Sequence, residues 1–365
     1  GRRGGPLTGR SRAGVAAALV AAGVGLRLGL ATLGHNYDVA SYEIVAKVVA
    51  SGGNVYAETT RYNYGPVWLW GAASLFGGAR EAAFRLGLAL LLSAVDVALA
   101  SRLRRRFGDR AALFLLFSPV SLLVTGYHRQ FDNLALLLGF LGAERLEERR
   151  EGRLTRRDVA AWLLLGASLA TKHILFLFPL WAAAGQRGIA RRVGSAIVPP
   201  ALFALSFLPW VAGGGAGIVS NVLTYTSTHN APLYRTLLPG AALEAVPPEG
   251  VWLTLLLSLG WLLRKGGAVE GLLVYTVAFV GAAPAMTNQY LAIPLAAIAA
   301  WPRAPFAAYT LAATAFLVLD QDGLALWPGG LPEGPRTAAY ALLCALLLAG
   351  LGLLLRDRRR RVAPP

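Results

Sequence analysis

The sequence predicts an all-α protein, a single polytopic transmembrane helical bundle over residues 1 to 365, on three observations. Hydrophobic residues make up 56% of the chain and charged residues 15%, whereas soluble domains run at roughly 45–50% apolar and about 25% charged. The mean hydropathy is +0.53. The basic residues behind the net charge of +16 fall in short clusters between apolar runs: RLRRR at 102 to 106, RRDV at 156 to 159, RGIARR at 187 to 192, RK at 264 to 265 and RDRRRR at 356 to 361. Clusters so placed anchor the cytoplasmic ends of spans. A nucleic-acid partner would need a continuous basic face on a soluble domain, and no segment is long enough to build one, so the lipid bilayer is the expected surroundings. The single cysteine, Cys344, lies in an apolar run, which leaves no disulfide framework and no cysteine metal site.

Spans of about 20 apolar residues, fewer where ends snorkel, are expected near 13 to 33, 81 to 101, 110 to 126, 132 to 145, 158 to 171, 173 to 186, 193 to 213, 251 to 264, 267 to 286, 289 to 302, 304 to 320 and 337 to 355, about twelve in all. The first apolar run is longer than a signal-peptide core, so it is read as an uncleaved span. The apolar stretch PVWLWGAASLFGGA, 66 to 79, is too short to cross. If it crossed, the next segment would deliver RLRRR to the outside, so it is read as an interfacial helix with Trp68 and Trp70 at headgroup level. With that choice both termini are cytoplasmic. Residues 34 to 80 then form the first extracytoplasmic loop and 213 to 250 a long outer loop. The sequence shows neither two related halves nor interrupted spans.

The same topology gathers polar residues on the outer side, where charges at a membrane edge are costly unless used. Asp38, in DVASYE, begins a helical segment that would share a face with Tyr42. It is either a general base within reach of an acceptor hydroxyl or an N-cap. GYHRQFDN, 126 to 133, packs His128, Arg129, Gln130 and Asp132 into a tight hairpin. Arg129 and Asp132 either pair with each other, or Arg129 offers its planar fork to a phosphate. TKH, 171 to 173, interrupts an apolar stretch. Placing Lys172 in mid-bilayer would cost about 2.5–3.5 kcal/mol, so a hairpin is expected with Lys172 and His173 at the outer edge, as a lipid-phosphate site or as snorkelling anchors. His229 and Gln289 lie in further outer segments, and Asp320 and Asp322 form a DxD-like pair at a span end. Arg27, inside the first span, is expected to pair with Asp96 in the second. No His, Cys and Asp set has metal-ligand spacing, and no phosphate-binding glycine loop is present.

The loop DVASYEIVAKVVASGGNVYAETTRYNYGPVW resembles the first luminal loop of the GT-C glycosyltransferases, notably the catalytic subunit of GPI mannosyltransferase I and the bacterial polyprenyl-phosphate-mannose enzymes. The segment SPVSLLVTGYHRQFDNLALLL is similar to one in the dolichyl-phosphate-glucose glucosyltransferases, as is TKHILFLFPLW. NQYLAIPL resembles a late mannosyltransferase segment. The resemblance implies a GT-C-like fold, a polyprenyl-phosphate-linked sugar donor, mannose for preference, and inverting transfer to a glycan or glycolipid acceptor outside a bacterial plasma membrane. It makes Asp38 the base and places Lys172, His173, His128 and Arg129 at the donor phosphate. Tyr42, Glu43, Tyr62, Tyr64, Gln130, Asp132, His229 and Gln289 would contact substrate. Residue 40 is Ala where the GPI enzymes carry a second Asp, so no cofactor is expected, with a divalent metal left open. Two other classes stay in view, a transporter or lipid-linked-sugar flippase and a diphosphate-donor oligosaccharide ligase or polymerase.

Overall fold

The computed structural model describes residues 9–76, 81–147, 154–225, 229–238, 240, 245–320, 324, 326 and 330–362. The first span is α1 (Gly9–Thr32), and the loop after it folds into α2 (Tyr37–Ala50), α3 (Val55–Glu58) and α4 (Pro66–Phe76). Then come α5 (Glu81–Phe107), α6 (Asp109–Phe117), α7 (Pro119–Leu122) with a π-helical turn to Tyr127, α8 (Asp132–Glu147) and α9 (Arg156–Thr171). They are followed by α10 (Phe178–Gly185), α11 (Ile189–Ser206), α12 (Leu208–Ile218) and α13 (Pro232–Leu237). The last are α14 (Pro248–Leu263), α15 (Ala268–Gly281), α16 (Leu295–Ala300), α17 (Ala304–Leu319) and α18 (Glu333–Val362). The only strands among the described residues are β1 (His229–Asn230) and β2 (Ala285–Met286), an antiparallel pair with His229 opposite Met286.

The expected apolar runs are mostly helical, although the one near 267 to 286 leaves its helix at Gly281 and ends in β2, and the number long enough to cross is three, or five with the bent pairs, against the expected twelve. Three helices are long and apolar enough to cross a membrane unbroken, within Ala13–Thr32, Glu81–Phe107 and Glu333–Arg360. Two more candidates are broken, by 51° between α6 and α7 and by 85° between α11 and α12, which corrects the expectation of uninterrupted spans. Proline explains both breaks: it lacks an N–H and clashes with the carbonyl four residues back. Pro119 opens α7 and Pro209 opens α12.

The break at Ser118 also frees carbonyls at the end of α6, and Arg27 of α1 takes them. Its Nη1 donates to Leu116 O (2.8 Å) and Gly23 O (3.0 Å), and its Nε meets Asp96 Oδ2 of α5 at 2.9 Å. Ser121 Oγ receives Nη2 at 2.7 Å, and Asn133 Nδ2 donates to Asp96 Oδ1 at 2.6 Å. The expected Arg27–Asp96 pair is therefore the centre of a buried cluster that ties α1, α5, α7 and α8.

Ion pairs also sort the bundle into two ends. Arg191 meets Asp158 (3.1 Å), so the starts of α9 and α11 lie together. Arg106 pairs with Glu147, and Arg358 with Glu270, which brings the ends of α5, α8 and α18 to the start of α15. Lys172 lies at the far end of α9 from Asp158, so TKH is a turn at the opposite end of the bundle from the basic clusters.

The first loop has a core of its own. Tyr42, Val45, Tyr56, Tyr62, Tyr64 and Trp68 pack with Phe84 and Leu88 of α5 and with Phe131. Trp68 is 1% exposed and stacks on Phe131 at 4.3 Å, while Trp70 is 59% exposed. Trp68 is thus a core residue and not an interfacial anchor, because α4 turns that face onto α2 and α9. Residues 77 to 79 of the expected interfacial helix lie outside the described residues.

Candidate active site

Asn36 caps α2, its side chain accepting from Val39 N at 3.4 Å. Asp38 is therefore not the cap, although it lies in the first turn, where a carboxylate faces the positive end of the helix dipole. Gln130 Nε2 donates to Asp38 Oδ2 at 2.5 Å, and Asn36 Nδ2 contributes a longer bond of 3.4 Å. Tyr42 Oη donates to Gln130 Oε1 at 3.2 Å. Tyr64 hydrogen-bonds Tyr42, and Gln289 Nε2 donates to Tyr64 Oη at 3.4 Å. A continuous chain of side chains thus runs from Asp38 to Gln289, joining loop, hairpin and the turn before α16.

Lys172 is 3% exposed and meets Asp132 Oδ2 at 2.7 Å. Its ammonium also lies 5.0 Å from the Tyr64 ring centre and 5.2 Å from that of Phe131, within cation–π range. The Asp38 carboxyl is raised above its ordinary range: burial raises it most, the positive charge of Lys172 and the Gln130 hydrogen bond oppose, and the charge of Asp132 adds to the rise. Two carboxylates near one cation have unequal environments, since Asp132 holds the ion pair and Asp38 does not.

A cavity of about 510 Å³ opens beside this group, lined by Asn63, Tyr64, Lys172, His173, Phe203, Tyr225, Glu249, Trp252, Gln289 and Tyr290 among others. Tyr225 on its wall hydrogen-bonds Asn63 and lies within the field of Asp38. His173 presents a buried Nδ1 with no hydrogen-bond partner. The wall thus combines a cation, an imidazole, tyrosine hydroxyls and apolar rings with one carboxylate, Glu249.

Other expected site residues are placed elsewhere. Arg129 adopts the left-handed region (φ 52°) and donates from Nη2 to the carbonyls of Ala31 and Gly34. Its guanidinium ties off the C-terminal end of α1, so it neither lines the cavity nor pairs with Asp132. His128 is 1% exposed, away from the cavity, and burial lowers it to about 4, leaving it neutral. Glu43 is held by Arg85 at 2.5 Å. Tyr62 is fully buried and donates to Gly65 O at 2.7 Å. These side chains shape the loop and do not reach the cavity. Asp320 pairs with Arg336 (2.8 Å) and accepts from Asn288 (3.0 Å), while Asp322 lies outside the described residues. The His229 backbone pairs with Met286, next to the cavity-lining Ala285, and its side chain lies outside the described residues.

The sequence did not single out Asn63, Tyr225, Glu249, Trp252 or Tyr290. Asn63 carried a signal, lying between Tyr62 and Tyr64 in the NYGPVW motif. Gly65 of that motif permits the loop to dock: a Cβ there would overlap the backbone carbonyl of Ala170, two residues before Lys172. Gly65→Ala should therefore lift Tyr64 off Lys172 and cost about 1–3 kcal/mol of stability. A lower melting temperature is the expected readout, and an unchanged one would show that the loop is not docked this way.

No protein-family model matches the sequence, and no curated protein matches it. Solved structures do. ArnT from Cupriavidus metallidurans in the apo state is 17% identical, with a TM-score of 0.51 over 94% of this chain and 77% of that one. The same protein bound to undecaprenyl phosphate is 16% identical, with a TM-score of 0.51 over 93% of this chain and 77% of that one. The chain has a GT-C fold. The cavity with Lys172 lies between the first loop (Asn63, Tyr64), α11 (Phe203) and the turn after α12 (Val222, Leu223, Tyr225).

Proposed function

We propose that this chain is a polyprenyl-phosphate-sugar-dependent GT-C glycosyltransferase of the inverting type, in a membrane with the basic end of the bundle cytoplasmic and the cavity extracytoplasmic. The observation that carries the reading is the juxtaposition of Asp38, raised and hydrogen-bonded by Gln130, with the buried Lys172 on the cavity wall. The likeness to a protein whose structure holds undecaprenyl phosphate supports the choice of donor.

The acceptor hydroxyl oxygen attacks the anomeric carbon as its proton passes to Asp38. The bond from that carbon to the phosphate oxygen breaks on the opposite face, and polyprenyl phosphate leaves with the electron pair. Lys172 and His173 face the developing phosphate charge, in a setting dry enough to make each contact count. Gln130 and Tyr42 hold the Asp38 carboxylate in position. Mannose is the proposed sugar and a lipid-linked or surface glycan the proposed acceptor. The experiment is transfer by the purified chain from polyprenyl-phosphate mannose, glucose and arabinose in parallel. Turnover of one of these donors is expected; inactivity with all three, alongside activity with a diphosphate-linked donor, would transfer the protein to the ligase or polymerase class.

Lys172→Ala should weaken donor binding by about 1.5–3 kcal/mol, the contribution of a hydrogen bond to a charged group. It is read as a raised donor KM. Donor affinity equal to wild type would remove Lys172 from the phosphate site. Because Asp132 loses its partner in this variant, Lys172→Arg is the companion that keeps the charge.

A further inference from the structure

The basic end of the bundle carries a cavity that shares no lining residue with the proposed transferase site. It lies between the end of α10, the start of α11 and the end of α14, with a volume of about 800 Å³. α10 begins just beyond Lys172 and His173 and ends at Gly185 in this groove, so the two cavities occupy opposite ends of the same helix.

Its lining has two halves. Arg187, Arg192, Arg264 and Lys265 form a cationic side, and no carboxylate lines it among the described residues. Val193, Ile197 and Trp261 form an apolar side and are 49%, 59% and 62% exposed. Elsewhere at this end arginines meet acids: Arg102 with Glu144, Arg106 with Glu147, Arg191 with Asp158 and Arg303 with Asp357. Arg192 and Arg264 instead donate to backbone carbonyls, Arg192 Nε to Gln186 O at 2.9 Å and Arg264 Nη1 to Trp261 O at 2.6 Å. The Arg264 guanidinium also lies 4.0 Å from the centre of the Trp261 ring. Both planes are thus fixed by a single bond, with N–H donors left over. An arginine fork held in place and still carrying donors is suited to a phosphate. The N-terminus of α11 has no side-chain cap, Gly188 standing at that position, so the positive end of its dipole adds to the field.

We infer that this groove binds the phosphate headgroup of an anionic phospholipid, with the glycerol and first chain carbons lying along Val193, Ile197 and Trp261. A free phosphate would use the cationic side alone. A lipid phosphate uses both, and basic pockets between helices on the cytoplasmic side are where such headgroups are held.

The test uses the full chain purified in detergent, with lipid binding followed by native mass spectrometry and by thermal unfolding. Dioleoyl phosphatidylglycerol should bind about tenfold or more tighter than dioleoyl phosphatidylcholine and raise the melting temperature. The double variant Arg192→Gln, Arg264→Gln should lose that preference. Ile197→Glu, at an exposed position, should weaken phosphatidylglycerol binding while leaving the unfolding temperature without lipid unchanged. Equal affinity of the wild-type chain for the two lipids would overturn the proposal without reference to any variant. Undiminished phosphatidylglycerol binding by both variants would overturn it too. If millimolar inorganic phosphate alone stabilised the wild-type chain as much as phosphatidylglycerol does, the occupant would be a soluble phosphate and the lipid assignment would fall.

Discussion

Asp38→Asn should lower sugar transfer by about 10²–10⁴-fold, the range that a positioned general base contributes, while the protein stays folded. The amide is close to isosteric with the carboxylate and keeps an oxygen to receive the Gln130 donor, so the Asp38–Gln130–Tyr42 chain survives the change. What disappears is the ability to take a proton. Near-normal turnover by purified Asp38→Asn would eliminate it as the base. The wild-type pH profile gives a second check. Only the ionised carboxylate accepts the proton, and burial raises the Asp38 pKa above the ordinary aspartate range. Activity should therefore be lost as pH falls through that raised value, with the acid limb of kcat/KM above 3.8, the unshifted value. Asp38→Glu should retain a fraction of the activity with its acid limb displaced, an outcome that a purely structural aspartate would not produce.

Asp96→Ala should destabilise the chain by about 3–5 kcal/mol, the cost of breaking a buried ion pair by removing one partner. Arg27 is 1% exposed and would be left with a charge facing only carbonyls and Ser121. Asn133 would lose its acceptor as well. The measurement is thermal unfolding in detergent, where a large drop in melting temperature is expected. The double variant Arg27→Leu, Asp96→Leu should recover much of that loss, since well-packed apolar replacements of a buried pair are often neutral or stabilising. A double variant no better than Asp96→Ala would show that the α6 carbonyls need Arg27 as much as Asp96 does.

Much of this was legible from the residues. The Arg27–Asp96 pair was, because a charge inside a span has few places to go. The turn at Lys172 was, because basic clusters on both sides fix its direction. The choice between Asp38 as cap or base was not, since Asn36 and Asp38 are equally good caps on paper and only the α2 geometry assigns the role to Asn36. Arg129 reads as a phosphate fork in GYHRQFDN, yet its left-handed backbone turns it onto the end of α1. Trp68 and Trp70 are indistinguishable as aromatic-belt residues, and the contact of α4 with α2 buries one of them. Tyr62 and Tyr64 are similar cases within one motif: Tyr62 closes on Gly65, and Tyr64 reaches Gln289.

The sequence by itself determined that the chain is all-α, where most of its apolar helices lie, and that the turn at Lys172 stands opposite the basic clusters. Hydropathy and charge act on each segment separately, and the bilayer imposes one length and one asymmetry on all of them. Only the tertiary structure decided which polar group meets which. Asp132 pairs with Lys172, 40 residues on, and leaves Asp38 to Gln130, 92 residues on. A buried polar atom takes the partner that packing brings within about 3 Å, and no local pattern along the chain encodes that distance.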